Sequence, residues 1–299
     1  MNRSATLHST VAVIVASLGR PEALAELLQD LERQSRRPDR IILSLTDRAD
    51  VPPEVERHNG VELVFGPKGS CVQRNTALDH LGSACDIVMF LDDDYVPSRF
   101  AIERAVRLIE THSDVTGACG HLLADGIHGP GLGVVEARAL LADYDAEAAP
   151  PIVPHHDLDG LYGCNMVFRA ARIADVRFDE RLPLYGWQED IDFAARAAHT
   201  GRLVKSFAFA GVHRGIKRGR SSGVRLGYSQ VVNPVYLSRK GTMRPRYAAK
   251  IVLRNVIANH LRAFRPEAWV DRAGRARGNW LGLIDLALGR IRPERIEQL

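Results

Sequence analysis

Asp92-Asp93-Asp94 follows five apolar residues, Ile87 to Leu91, with no polar transition. Three adjacent carboxylates repel one another, so they demand a cation or a set of hydrogen-bond donors. Oxygen ligands suit a hard divalent ion such as Mg²⁺ or Mn²⁺, which also holds phosphates. An acidic, solvated turn fits the same residues without any chemistry, and on their own they leave the two readings balanced. A second acidic group, Glu189-Asp190-Ile191-Asp192, follows Gly186-Trp187. Helix N-termini favour carboxylates, and capping accounts for one or two of these acids. The third is in excess, and a carboxylate there is suited to act as general base toward a hydroxyl. His213 is a further candidate ligand, although a lone histidine is more often structural. Arg20, Lys68, Arg74 and Asn75 lie near strand ends. Each alone is ordinary surface; gathered at one sheet edge they could meet a diphosphate.

The elements that must carry these groups are legible as alternating strands and helices. Val11 to Ala16 reads as a buried strand, and Pro21 suits the first turn of a helix with Leu24, Leu27, Leu28 and Leu31 on one face. Strands follow at 41–45 and 61–65, then a helix from Cys71 to Leu81, the strand ahead of Asp92, and a helix from Ser98 to Glu110 capped by Ser98. This alternation predicts a doubly wound α/β sheet, whose ligands sit beyond the carboxyl ends of its strands. Residues 115–123 and 160–169 read as strands, 125–140 as a Gly-rich stretch without assignment, and 146–154 as a loop. A helix over 188–200 and a strand over 203–209 lead to His213. Residues 215–223 are basic and Gly-rich, which predicts mobility. Helices are expected at about 225–240, 245–263 and 276–289.

Composition narrows the class. With 45% hydrophobic and 25% charged residues, the 299-residue chain reads as an ordinary globular protein able to bury a large core. Cys71, Cys85, Cys119 and Cys164 have no paired spacing, which argues against a zinc site or disulfide framework. Met1 to Thr10 is polar, and no apolar run approaches the ~20 residues of a membrane span. The expected location is cytoplasmic. The net charge of +4 is unevenly placed: from Arg214 to Leu299 there are 19 Lys+Arg against 5 Asp+Glu, leaving 21 basic and 31 acidic residues in 1–213. A basic tail of this kind implies an anionic partner. Nucleic acid fits poorly, because the arginines lack interleaved aromatics or a known module.

Taken in order, these segments resemble family 2 glycosyltransferases of the GT-A fold over roughly residues 10–215. Ser17-Leu18-Gly19-Arg20-Pro21 is similar to the family's polar turn after the first strand. Gly69 through Arg74-Asn75 resembles its Gly-x-x-x-x-Arg-Asn segment, and Phe90 to Asp94 its DxD motif. Gly163-Cys164-Asn165 resembles the strand lining the acceptor side, and Trp187 to Phe193 the Glu-Asp motif. The resemblance implies that Asp94 ligates the metal with Asp92 and His213, that Asp92 and Asp93 meet the nucleoside side, and that Asp190 is the base with Glu189 beside it. Ser17, Leu18, Arg20, Gly69 and Arg74 would hold the nucleotide sugar, with Asn165 and Trp187 facing the acceptor. Where many members carry Asp-Asp-Gly-Ser after the second strand, this chain has Leu45-Thr46-Asp47-Arg48, so Asp47 is the candidate for base recognition.

The resulting expectation is a mixed GT-A sheet flanked by helices in residues 1–215, with donor binding over about 10–120 and the acceptor side over 121–215. Residues 216–299 would form a basic helical extension that packs on the domain, forms a homo-oligomer or contacts the membrane periphery. The activity implied is inverting, Mn²⁺- or Mg²⁺-dependent transfer from a UDP- or dTDP-sugar to a glycan or lipid-linked acceptor, in building a cell-envelope polysaccharide. The rivals are a sugar-phosphate nucleotidyltransferase, for which the 17–20 loop is a poor match, and a binding module without catalysis.

Overall fold

The computed structural model describes residues 9–53, 55, 60–217 and 222–299. Residues 1–8 of the polar N-terminal stretch thus lie outside the described residues. So do residues 218–221 of the basic Gly-rich segment for which mobility was expected. The chain alternates β1 (Val11–Ala16), α1 (Pro21–Glu32), β2 (Arg40–Leu45), β3 (Val61–Phe65), α2 (Ser70–Leu81) and β4 (Ile87–Asp92). Then come β5 (Tyr95–Pro97), α3 (Ala101–Thr111), β6 (Val115–Asp125), α4 (Val134–Ala146), β7 (Pro154–Asp157) and β8 (Asn165–Arg169). The series closes with α5 (Glu189–Ala197), β9 (Arg202–His213), α6 (Gly223–Lys240), α7 (Pro245–Arg262) and α8 (Arg272–Ala287).

The described strands form one nine-stranded sheet in the order β3-β2-β1-β4-β8-β6-β9-β5, with β7 on β9. The first four are parallel, and β8 enters antiparallel between β4 and β6. This is a mixed sheet, as expected. Both of its faces are covered, which is why β1, β2 and β4 are almost continuously apolar. On one face Val13, Val15 and Met89 pack against Leu24, Leu27, Leu28 and Leu31 of α1 and against α3. Each such leucine contributes on the order of 1.5–3 kcal/mol by burial. On the other face Ile14, Phe90 and Phe168 meet α2, α5 and Phe178, with the Phe178 and Phe193 rings stacked at 4.1 Å.

Several local expectations are corrected. The helix expected from Ser98 begins at Ala101, because Ser98 accepts from Phe100 N (3.2 Å) and donates to Asp145 (2.6 Å) instead of capping it. The Gly-rich stretch after Asp125 contains α4, whose Ala137 and Leu141 cover β5 and β9. The strand over 160–169 is confined to β8.

The C-terminal helices are packed on the sheet domain. Leu237, Met243, Ala248 and Ile251 join the core of the α2–α5 face. Helices α6 and α8 touch backbone to backbone: a Cβ on Gly278 would lie 2.1 Å from Val224 O. A buried polar cluster joins both to α7. Asn259 Nδ2 donates to Gln230 (2.7 Å) and Asn279 (3.0 Å), and Asn259 Oδ1 accepts from Arg272 (2.9 Å).

Candidate active site

The carboxyl ends of β1 and β4 adjoin, with Ala16 paired to Asp92, and Asp92-Asp93-Asp94 therefore emerges beside Ser17-Leu18-Gly19-Arg20. The three acids diverge. Asp93 turns to the β1 loop, accepting from Ser17 Oγ (2.7 Å) and Arg20 Nη1 (2.9 Å). Burial lifts its carboxyl above the usual range, offset only in part by Arg20 and Ser17. Asp94 is also buried; its Oδ2 accepts from Ile216 N (2.7 Å), and its Oδ1 lies 3.3 Å from His213 Nε2. Burial opposes its charge, but His213, Arg20 and the Ile216 amide hold it below the ordinary range. Asp92 is more open and faces Arg74 Nη2 at 3.0 Å and His213 Nε2 at 3.9 Å.

Asp92, Asp94 and His213 can each present one ligand atom, all within 4.8 Å of one another. Two carboxylates suit Mn²⁺ or Mg²⁺, and an imidazole beside them favours a softer ion such as Mn²⁺ over Mg²⁺. The imidazole is oriented from behind, with Asp125 Oδ1 2.8 Å from Nδ1 and Tyr162 Oη donating to Asp125 Oδ2 at 3.1 Å. A carboxylate on the far nitrogen is what metal-ligating histidines ordinarily have. Burial disfavours the imidazolium, but the hydrogen bonds to Asp125 and Asp94 outweigh that and raise His213 to about 10. A cation on Asp92 and Asp94 would take the place of the His213 Nε2 proton, so these three groups fit a divalent cation, and Asp125 supports them from behind although it lies in a stretch the sequence left unassigned. Its signal was an acid at the end of a long strand.

On the same cavity, α5 begins at Glu189 behind Gln188, a non-glycine residue with φ 76°. Such a conformation costs about 1–3 kcal/mol and is retained where surroundings impose it. Asp190 Oδ2 accepts from Gly163 N and Oδ1 from Ile191 N, both at 2.8 Å. Burial raises its carboxyl, and these amides favour the charged form without cancelling the effect. Glu189 is raised by burial and by Asp190, against the pull of Arg74. Buried Arg74 bonds Glu189 through Nη1 and Asp92 through Nη2, joining the two acidic groups. Asp192 is different. It is fully buried and accepts from Thr242 (2.7 Å), Lys240 (2.8 Å) and Arg196 (3.0 Å), so the acid in excess of capping ties α5 to the C-terminal helices.

Arg74, the three aspartates 92–94, Glu189, Asp190 and His213 line one cavity of about 640 Å³, together with Ser17, Leu18, Arg20, Lys68, Gly69 and Trp187. Gly69 precedes α2 with φ +146°, a conformation that glycine tolerates best. Gln73, which carries no motif, donates to Ser17 O (2.8 Å) and Ser44 O (2.9 Å) and so holds the ends of β1 and β2 together. The cavity also takes Lys205 from β9 and Ser222, Arg225 and Tyr247 from the C-terminal region, none of which stood out by type or spacing. Three expected residues lie outside its described lining. Asp47 accepts from Ala49 N (2.8 Å), while buried Asp50 reaches Gly19 N (2.9 Å) in its place. Asn165 lies on β8 and donates to Tyr95 Oη at 3.4 Å. Asn75 clamps the backbone of Phe178 (2.7 and 2.9 Å), fixing the loop that leads to Trp187.

Residues 12–127 match the family model described as Glycosyl transferase family 2. A comparison with curated protein sequences found no match. Among solved structures, that of S. aureus TarS residues 1–349 superposes with TM-score 0.54 at 15% identity, covering 97% of this chain and 83% of that one. The same TarS segment in complex with UDP-GlcNAc gives 0.52 at 15% identity, with 97% and 90% covered. A Pyrobaculum calidifontis mannosyltransferase, PcManGT, in complex with GDP-Man and Mn²⁺ gives 0.51 at 16% identity, with 96% and 82% covered. Against a longer TarS chain, this protein spans 44% of its length. Residues 12–127 thus match the family 2 glycosyl transferase model, and the chain shares the GT-A fold of these glycosyltransferase structures.

Proposed function

We propose that this protein transfers a sugar, with inversion, from a nucleotide-diphosphate sugar to a hydroxyl acceptor, aided by a divalent cation. The observation that carries the reading is that Asp92, Asp94 and His213 line one cavity together with Asp190. When bound, a divalent ion neutralises charge that develops on the departing diphosphate. Arg20, beside Asp93 and Asp94, and Lys68 add positive charge to the cavity, and Ser17 and Leu18 border it. Asp190 removes the proton of the acceptor hydroxyl as that oxygen attacks the anomeric carbon. Glu189, raised by burial, together with Arg74 fixes the position of the base relative to the donor. A single displacement with one base on the far side inverts the anomeric centre.

The structural neighbours crystallised with UDP-GlcNAc and GDP-Man support a nucleotide-sugar donor without selecting its base or sugar. A UDP- or dTDP-sugar remains our reading, with Asp50, rather than Asp47, nearest the turn after β1. A glycan or lipid-linked acceptor of envelope polysaccharide synthesis is consistent with Arg225 at the cavity and the basic balance of the C-terminal region. A thermal-shift screen of nucleoside diphosphates and nucleotide sugars, with and without Mn²⁺ or Mg²⁺, tests this. Metal-dependent stabilisation by one nucleotide is expected, and no response to any of them would overturn the reading.

A further inference from the structure

Helix α7 leaves a face uncovered. Leu253, Ile257 and Leu261 are 60%, 47% and 67% exposed, and Phe264 just past the helix end is 87% exposed. At 100° per residue they fall on one side of the helix with Tyr247, Lys250 and Arg254 between them. Helix α8 adds Trp280, Ile284 and Leu288, spaced i, i+4, i+8 and 58%, 51% and 57% exposed. The ring contact of His260 with Trp280 at 5.8 Å joins the two helices on that side. Large contiguous apolar surface rimmed by polar groups marks a docking site.

Charge selects the occupant. Helix α7 carries Arg246, Lys250 and Arg254, with Arg262 paired to Glu267 (2.8 Å), and no acidic residue of its own, and exposed Arg265 and Arg277 flank the same surface. A second copy meeting this face across a two-fold axis would oppose cation to cation. An anionic lipid surface complements it, with apolar side chains entering the acyl boundary and lysine and arginine remaining among the headgroups. No described helix is long and apolar enough to cross a membrane, so contact would be in the interfacial plane.

We infer that the joined faces of α7 and α8 dock this protein onto an anionic membrane surface. Tyr247 lines the cavity at one end of α7, and Phe264 lies about 25 Å along the helix direction. Docking therefore sets the cavity beside the lipid headgroups, where an acceptor hydroxyl carried on a lipid would be presented to Asp190. That last step rests on the transferase reading; the docking itself does not.

The test is flotation of the full chain, without nucleotide, with vesicles of phosphatidylglycerol in phosphatidylcholine and with vesicles of phosphatidylcholine alone. Binding to the anionic vesicles is expected to be at least about tenfold tighter and to weaken as salt rises. Two double variants, Ile257→Ser with Phe264→Ser and Lys250→Glu with Arg254→Glu, should each lose about tenfold or more in vesicle affinity while keeping the parent melting temperature and nucleotide response. Equal binding to both vesicle types, binding to neither, or variants that float like the parent would overturn the inference. A lipid-independent dimer in sedimentation that the Ile257→Ser, Phe264→Ser variant abolishes would also overturn it, in favour of self-association. Because no donor or acceptor is present, failure here leaves the transferase reading standing, and a failed nucleotide screen leaves the docking surface standing.

Discussion

The backbone amide of Gly163 donates to Asp190 Oδ2 at 2.8 Å, and a Cβ on Gly163 would sit 3.2 Å from both that oxygen and Asp190 Cβ. The carboxylate is therefore aimed by a residue whose lack of a side chain leaves room for it. Its other oxygen is fixed by Ile191 N, so Asp190 is held at both ends before any acceptor arrives.

Replacing Asp190 by Asn should preserve its size while removing its capacity to accept a proton. Turnover should fall by about 10²–10⁴, the usual contribution of a positioned base, with metal-dependent nucleotide affinity almost unchanged. Measured kcat close to the parent's would remove Asp190 from the base role.

The pH profile follows from the direction of the Asp190 shift. Burial raises its carboxyl above the ordinary aspartate value, and a base acts only when deprotonated. Activity should therefore fall on the acid side at a pH higher than a free aspartate would give, and recover as pH rises through the raised pKa. The check is kcat/KM against pH; an acidic limb at or below about 3.9, the unperturbed aspartate value, contradicts the assignment.

Asp94→Ala and His213→Ala should each weaken metal-supported nucleotide binding. Loss even of groups that only orient metal ligands costs about 10–100-fold in affinity, so removal of a ligand should cost at least that. Asp125→Ala, which strips the support behind His213, should fall in the 10–100-fold range itself. Calorimetric titration with Mn²⁺ and a nucleoside diphosphate distinguishes them, and three unchanged affinities would move the cation elsewhere.

Asp192→Ala should affect stability more than chemistry. It removes the shared acceptor of Thr242, Lys240 and Arg196. Lys240 and Arg196 are partly open to solvent, so the loss should stay below the 3–5 kcal/mol of a sealed buried pair, about 2–3 kcal/mol. Urea denaturation reads this directly. An unaltered midpoint would mean that α5 does not depend on the C-terminal helices.

The parallel half of the sheet was readable because it is buried on both faces, and an unbroken apolar run as short as Ile87 to Leu91 fits little besides a covered strand. The same burial hid β5, whose three residues are too short to show a period. Helix α4 was hidden for another reason: only Ala137 and Leu141 are buried on it, and its apolar positions make no stripe. At the site, acids after strands announced themselves, whereas Gln73, Asp50 and Tyr162 act through hydrogen bonds to backbone or to another side chain. Nothing in their spacing distinguishes them from surface residues. Asp192 shows the converse, since its chemistry was visible but its partners, Lys240 and Thr242, lie far along the chain.

The groups proposed to hold the cation and to act as base are assembled from distant parts of the polypeptide. Arg74 meets Glu189 across 115 residues, and Asp94 meets Ile216 across 122. Contacts of such separation form late, because the chain between them must first be ordered. A nascent chain carrying only the first four strands would hold the aspartates and neither His213 nor Asp190. On the proposed transferase reading, the groups of the site are complete only once β9 has joined the sheet.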